Sequence, residues 1–260
     1  QSLTADHVLR FQDLLPHAGY ELATYALAEL FTRKDEAEIA ELRKAGRAID
    51  AVHAQVPQLL QAGRTEAEVA HELEKLILRE HSVIDFVIVG SGPNGANPHH
   101  SFSDRELAEG EPVVVDIGGT LPSGYHSDCT RTYVVGGDIS KAPRDFQDAY
   151  AVLADAQAAA RAAAHPGSTA ADIDAITREA ISAAGWGDYF VHRTGHGIGL
   201  STHEEPFIME GNDLALEEGM AFSIEPGIYL EGKWGMRLED IVVLTNDSYE
   251  SLNQAPRDVR

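Results

Sequence analysis

The sequence predicts an α+β fold: a curved, mostly antiparallel sheet covered by helices and built from two copies of one unit. Three observations carry this. Helical and strand patterns recur in the same order in each half of the chain. Acid-bearing strand segments recur at matching distances from a glycine. With 260 residues, 43% of them hydrophobic, the chain can bury one sizeable core, or a core plus a small appendage. Ordinary glycine, proline and aromatic contents exclude disordered and fibrous classes.

The first unit begins near Lys34. Ile39, Leu42, Ile49 and Val52 recur at helical spacing, and the pattern fades near Gly63. Thr65 with Glu68 three residues on is a capping box, opening a second helix with Val69, Leu73 and Leu76 or Ile77 on one face. V-I-D-F-V-I-V-G at 83–90 is a strand by its β-branched content, and the glycine-rich S-G-P-N-G-A-N-P-H-H at 91–100 is a loop. In the second unit an alanine-rich helix runs from about Phe146 to Ala164 and stops at Pro166-Gly167. Thr169 and Asp172 open the next helix, with Ile173, Ile176 and Ile181, before F-V-H-R-T-G-H-G-I-G-L at 190–200.

The acidic segments continue the match. E-G-E-P-V-V-V-D ends on Asp116, six residues after Gly110, and E-G-M-A-F-S-I-E ends on Glu225, six residues after Gly219. Each is followed by a turn (L-P-S-G, then E-G-K-W-G) that reads as a hairpin. A second acid-bearing strand comes next: Asp128 in S-D-C-T-R-T-Y, and Glu239 in R-L-E-D-I-V-V. Residues 1–33 lie outside the repeat, carry Pro16 and Gly19, and are predicted to be a linker or the remnant of an N-terminal domain.

The formal net charge of −22 repels nucleic-acid phosphates and anionic lipid, so neither nucleic acid nor a membrane is an expected partner. The longest apolar runs, F-V-I-V at 86–89 and V-V-V at 113–115, are far short of a ~20-residue span. Q-S-L-T-A-D-H has no basic stretch followed by an apolar one, so no signal peptide is expected in it. The single cysteine, Cys129, permits no intrachain disulfide and suits a reducing compartment, which makes the cytoplasm the expected location.

A hairpin sets its arms side by side, with alternate residues on one face. Asp116 and Asp128 are twelve residues apart, and Glu225 and Glu239 fourteen, so both acids of each pair can face the core. Each sits among apolar residues, such as Val115, Ile117, Ile224 and Leu238. Four ionised carboxylates there would repel one another and be costly to desolvate, and bound cations relieve both problems. His196, between glycines in T-G-H-G-I-G-L, is the fifth candidate ligand. An aspartate at a strand end is most often a cap, and a lone histidine is most often packed; it is the co-occurrence in a duplicated frame that selects the metal reading. The oxygen-rich set suits Mn²⁺ or Co²⁺ better than a thiolate-type zinc site. Two metals bridged by carboxylates at ~3.5–4 Å would activate a shared water and polarise a carbonyl.

These motifs resemble the pita-bread metallopeptidases, which include methionine aminopeptidase, aminopeptidase P and prolidase (Xaa-Pro dipeptidase). The resemblance rests on V-V-V-D-I-G-G, Y-H-S-D-C-T-R-T, H-R-T-G-H-G-I-G-L-S-T-H-E-E-P, S-I-E-P-G-I-Y and R-L-E-D-I-V-V, spread over about residues 34–250. It implies a catalytic domain over 34–260 with an internal pseudo-twofold, and a short peptide substrate. It also implies two divalent metal ions, Mn²⁺ first with Co²⁺ or Zn²⁺ as alternatives. Asp116 would hold one metal, His196 and Glu225 the other, and Asp128 and Glu239 would bridge. A metal-activated water would attack the scissile carbonyl, with Glu225 or its partner across the site handling the proton.

R-L-E-D and the T-R-T after Asp128 resemble the proline-directed branch, since methionine aminopeptidases do not usually carry an arginine two residues before the last ligand. By that resemblance His99, His192 and His203 line the site and hydrogen-bond the substrate and the tetrahedral intermediate. Arg237 would orient Glu239, Asp116 or Asp128 by a charge-assisted bond. T-G-H-G-I-G-L and H-E-E-P favour a prolidase-like Xaa-Pro dipeptidase over aminopeptidase P or a methionine aminopeptidase-like exopeptidase. A non-catalytic binding module or a metal-free creatinase-like hydrolase of this fold would lack the acidic set. A homodimer is implied. His100 is read as a bystander, His126 as exposed in a turn, and Cys129 as a small packed residue. The Asp116 to Asp128 interval is one residue longer than usual in the family, which a hairpin bulge would absorb. Prolidases and aminopeptidases P carry an N-terminal domain that caps the neighbouring subunit's site, and here residues 1–33 precede the unit.

Overall fold

The computed structural model describes residues 4–22 and 27–259. Helix α1 (Ala5–Leu14) buries no residue, and every described residue from 4 to 22 is exposed. Residues 1–3 and 23–26 of the predicted linker stretch lie outside the described residues. The chain joins the core at Thr32–Lys34, where the Lys34 amide donates to the Gly219 carbonyl and Arg33 bridges to Met220.

The predicted helices form, with starts set by their caps. Helix α2 (Glu36–His53) starts two residues later than the apolar pattern implies, because Asp35 and Glu38 make a capping box there. Helix α3 (Glu66–Ile77) starts at the Thr65–Glu68 box and buries Val69, Leu73 and Ile77. Helix α4 (Arg144–Ala163) and helix α5 (Ala170–Ala183), the latter capped by Thr169 and Asp172, repeat the pair. Among the described residues no helix is long and apolar enough to cross a membrane.

The strands keep the repeat. β1 (Val83–Ser91), β2 (Pro112–Thr120) and β3 (His126–Val134) form an antiparallel sheet in that order. β4 (Gly195–Gly197), β5 (Glu204–Ile208), β6 (Ala221–Ile224), β9 (Asp240–Leu244) and β10 (Tyr249–Ser251) form a second sheet, in the order β10-β9-β6-β4-β5. The neighbours β4-β6-β9 thus match β1-β2-β3. Between them, β7 (Gly227–Leu230) and β8 (Trp234–Arg237) make a separate two-stranded hairpin. α2 and α3 pack on β1–β3 through Ile49, Val69, Leu73, Val89, Val115 and Ile117. α4 and α5 cover the second half through Phe146, Leu153, Ile173 and Ile181.

Two details depart from the expected hairpins. The register of β2 with β3 is unbroken, so no bulge absorbs the extra residue. The turn absorbs it: Leu121 donates to the Tyr125 carbonyl, and Gly124 takes a φ of +92°, which favours glycine. A register shift lies instead in β1 between Ile84 and Phe86. In the second half the arms are interrupted. Ile224 pairs with Asp240 and Gly227 with Arg237, leaving Glu225-Pro226 and Leu238-Glu239 at the break between two sheets. Pro226 has no N–H to continue a ladder. The freed amides of Glu225 and Glu239 donate to the carbonyls of Thr194 and Thr130.

His126 is not an exposed turn residue. It opens β3 half-buried, and its Nδ1 lies 2.7 Å from Asp85 Oδ2. The carboxylate beside it in the β1 irregularity raises its pKa. Cys129 is buried and packed, as expected. Two charges of the hidden core went unread in the sequence. Arg131 Nη2 donates to Asp240 Oδ1 at 2.8 Å, and Asp240 also accepts from Gln157 and Arg257, all behind the sheet.

His53, on α2, is wholly buried, with Nδ1 against the Tyr133 hydroxyl at 2.9 Å and Nε2 donating to the Cys129 carbonyl at 3.0 Å. Burial, reinforced by the Arg131 charge, pushes its pKa from 6.5 down to about 3. The unfolded imidazole takes up its proton near pH 6.5 and the folded one only near 3, so this stability is full above pH 6.5 and drains away as pH falls towards 3. We expect His53→Gln to flatten the acid-side stability profile by up to about 1.4 kcal/mol per pH unit within that window. Urea unfolding at several pH values tests this, and parallel profiles for parent and variant would clear His53 of the role.

Candidate metal centre

β2 and β3 lay the first two acids on one face. Asp116 pairs with Thr130, and Gly118 with Asp128, so the two aspartates sit diagonally across the ladder, aimed away from α2 and α3. β8 and the start of β9 lie over that face. Arg237 donates its amide to Thr132 Oγ1, and Glu239 its amide to the Thr130 carbonyl. β4 supplies His196. A Cβ on Gly195 would fall 1.8 Å from the Ser223 carbonyl, so glycine is required for β4 to lie this close to β6.

These elements meet at the floor of a cleft of about 920 Å³. One ligand atom each from Asp128, His196 and Glu239 lie within 4.8 Å of one another. His196 Nε2 is 3.2 Å from Glu225 Oε1 and 3.6 Å from Asp128 Oδ2. Asp116 stands apart from that trio, bound to Arg237 Nη2. Of the three acids offered to Arg237 by the sequence, the structure selects Asp116. The same guanidinium donates through Nε to Thr130 Oγ1 at 3.1 Å, and Thr130 donates to Glu239 Oε2 at 2.7 Å.

The electrostatics are those of a cation site. Burial, with the charges of Glu239, Asp116 and Glu225 added, pushes Asp128 well above the usual carboxylate range. Burial and the charges of Glu225 and Asp116 do the same to Glu239. Asp116 is raised by burial against the opposing pull of Arg237. Glu225 goes the other way: burial pushes upward, but the His196 hydrogen bond and charge outweigh it and bring the pKa down to about 2. Asp116 Oδ1 and Glu239 Oε1 are buried without a hydrogen-bond partner among the described residues. His196 Nδ1 donates to the Gly197 carbonyl at 3.0 Å, and Nε2 points at the Glu225 and Asp128 carboxylates, where a bound cation would take the place of the Nε2 proton. Orphaned carboxylate oxygens and an inward imidazole nitrogen fit divalent cations.

The other sequence-predicted residues occupy the walls. His99, His192, His203 and Arg237 all line the cleft. The His99 ring makes no hydrogen bond to a described residue; only its backbone amide is held, by Asn97 Oδ1 at 3.1 Å. His203 lies tilted against His196 with ring centroids 4.1 Å apart, and burial, then the His196 charge, bring its pKa down to about 4. His192 has both nitrogens engaged: Nδ1 donates to the Arg193 carbonyl, and Nε2 accepts from the Tyr229 hydroxyl at 2.8 Å. Tyr229 in turn accepts from Arg237 Nη1 at 2.8 Å, making a relay from Arg237 to His192. Tyr229 and Arg193 escaped the sequence reading, although both stand beside motif residues in I-E-P-G-I-Y and H-R-T-G-H. Arg193 lines the cleft, lies 4.8 Å over the Phe207 ring and pairs with no carboxylate among the described residues.

Asp128→Asn removes one charge from a mutually repelling set. In metal-stripped protein we expect a melting temperature at or above the parent's, and in calorimetric titration a loss of at least about tenfold in Mn²⁺ affinity. A lowered melting temperature with intact Mn²⁺ binding would remove Asp128 from the centre.

The comparisons with known proteins agree on the family. The model of metallopeptidase family M24 matches residues 40–246. A probable dipeptidase PepE of Mycobacterium tuberculosis is 55% identical over 99% of this chain and 68% of its own length. An Xaa-Pro dipeptidase of Lactobacillus delbrueckii subsp. lactis is 40% identical over 99% of this chain and 70% of its own. Among solved structures, dipeptidase PepE from Mycobacterium ulcerans has a TM-score of 0.94 at 52% identity, covering 99% of this chain and 68% of that one. The prolidase from Pyrococcus horikoshii has a TM-score of 0.94 at 31% identity, covering 100% of this chain and 74% of that one. This chain belongs to metallopeptidase family M24 and has its pita-bread fold.

Proposed function

We propose that this chain hydrolyses Xaa-Pro dipeptides using two divalent cations, Mn²⁺ foremost, held by Asp116, Asp128, His196, Glu225 and Glu239. The observation that carries the reading is the convergence of Asp128, His196 and Glu239, the first two of which line a cleft walled by His99, His192, His203 and Arg237. The names dipeptidase and Xaa-Pro dipeptidase borne by the relatives support dipeptides as the substrate class.

When bound, the cations supply a Lewis acid for the scissile carbonyl and an activated water. The chain's own residues orient and move protons. Glu225, with Oε1 accepting from Ser223 Oγ at 3.0 Å, or its partner across the site, takes the proton from the attacking water and passes it to the leaving proline nitrogen. His99 and His203 donate to the developing oxyanion and the substrate's backbone groups. His192, already engaged with Tyr229, acts by keeping the Arg237 relay rigid. Arg193 offers its guanidinium to the terminal carboxylate that a dipeptide carries close to its scissile bond. Phe86 and Ile88, on the same face of the sheet as Asp116, form an apolar wall for the substrate side chains. A cytoplasmic location and a homodimer belong to the same proposal, and the lone buried Cys129 supports the first.

The decisive measurement is hydrolysis of Xaa-Pro dipeptides against Xaa-Pro-Xaa tripeptides by metal-stripped protein re-supplied with Mn²⁺, Co²⁺ or Zn²⁺. Dipeptide cleavage should require the metal, and Glu239→Ala should lower kcat at least about a thousandfold, equivalent to about 4 kcal/mol. Metal-independent turnover or a normal rate in Glu239→Ala would sink the mechanism. Cleavage confined to Met-initiated peptides would sink the proline assignment.

A further inference from the structure

The His99 ring makes no hydrogen bond or ion pair to a described residue, so where it enters the cleft depends on the loop that carries it. That loop, residues 91–103, is held at Pro98 by Arg237 Nη1 and at Ser101 by the Val89 amide, and its side-chain donors gather on one buried carboxylate. Glu66, the first residue of α3, is 0% exposed. Its Oε1 accepts from the Ser91 amide at 2.7 Å and the Ser91 hydroxyl at 2.6 Å. Its Oε2 accepts from Ser103 Oγ at 2.7 Å and lies 2.8 Å from His100 Nε2. The Asn94 amide reaches both oxygens at 3.1 Å. The two ends of the loop and its middle therefore converge on one carboxylate. The first-turn amides of α3 add to this, since Glu66 and Ala67 donate to the carbonyls of Arg105 and Ser103. His100 belongs to this lock and is no bystander.

We infer that Glu66 is a positioning residue for His99: its carboxylate, through Ser91, Asn94, His100 and Ser103, sets where the His99 ring enters the cleft. The inference rests on the proposed peptidase reading for its kinetic consequence, though not for its structural one. Every partner of Glu66 is a donor or can act as one, so an acceptor-only carboxylate satisfies them all. A buried carboxylate with this many charge-assisted hydrogen bonds is also a stiff anchor. Burial raises its pKa and the bonds from Ser91, Ser103 and His100 lower it, with the bonds prevailing, so the anchor stays charged.

Glu66→Gln tests this while preserving shape. The Ser91 amide can only donate, which holds the Gln carbonyl at the Oε1 position and turns its NH₂ towards His100 and Ser103. Both of these can rotate or change tautomer to accept, so the variant folds with a loosened loop. We expect kcat for an Xaa-Pro dipeptide to fall about tenfold, with KM and Mn²⁺ affinity within about twofold of the parent. In a His99→Ala background the same substitution should change kcat by less than about twofold, because the group it positions is gone. Equal effects in the two backgrounds, or an Mn²⁺ affinity loss as large as the kcat loss, would overturn the inference. Should the parent cleave no Xaa-Pro peptide, the proposed function falls on its own, and amide exchange decides the lock. Exchange at least about tenfold faster across 92–103 in Glu66→Gln, with α4 unchanged, sustains it, and unchanged exchange across the loop overturns it.

Discussion

Four carboxylates gathered in one buried site, with Asp128 and Glu239 close around His196 and Asp116 on Arg237, are the constraint around which this molecule is arranged. Left to themselves they repel, and their desolvation is unfavourable at any protonation that keeps them charged. The fold answers with backbone rigidity. Glu225 and Glu239 sit where the second hairpin breaks between sheets, and their amides are tied to Thr194 and Thr130 instead of to each other. That arrangement joins the two halves of the chain through the acids themselves: Glu239, from the second half, is bound by amide and carboxylate to Thr130, from the first.

The same strands keep a second set of charges on their other side. β-strand alternation sends Glu239 to the cleft and Asp240 behind it, and does the same with Thr130 and Arg131. Arg131 and Asp240 pair in the core, and Arg257 ties the C-terminal segment to the same carboxylate. The cleft face gathers acids, and the rear face gathers arginines on Asp240. A shift of one residue would exchange the two sets: in β3 it would bring Arg131 to the cleft and take Asp128 into the core, and at the start of β9 it would swap Glu239 with Asp240. Register is therefore specified electrostatically as well as by packing.

How much of this was legible in the sequence follows from which interactions are local. Capping boxes at Thr65 and Thr169 and the apolar faces of α3 and α5 are short-range signals, and they appear where expected. The even spacing of Asp116 and Asp128 correctly placed both on one face, because a continuous ladder preserves parity. The same argument reached Glu225 and Glu239 by a different route, since the hairpin between them is interrupted at Pro226 and Leu238. What sequence could not show are partnerships across long separations: His126 with Asp85, Arg131 with Asp240, Tyr229 between Arg237 and His192, and Glu66 with the 91–103 loop. Each is a polar residue that reads as surface until the fold supplies its partner.

The two halves share one plan but differ in their sheets, and the site is asymmetric for the same reason. Both halves offer a strand pair with an acid on each member, but the first pair is continuous and the second is split. Continuity fixes Asp116 and Asp128 on the sheet face turned away from the helices. The split frees β7 and β8 to cross the first sheet, carrying Tyr229 and Arg237 over Asp116. The histidines divide in the same way: His196 is held within the second sheet, whereas His99 is carried by a loop with no strand of its own to fix it. A histidine on such a loop needs an anchor elsewhere, and the first half supplies one at the start of α3, where Glu66 gathers the donors that a strand would otherwise have paired.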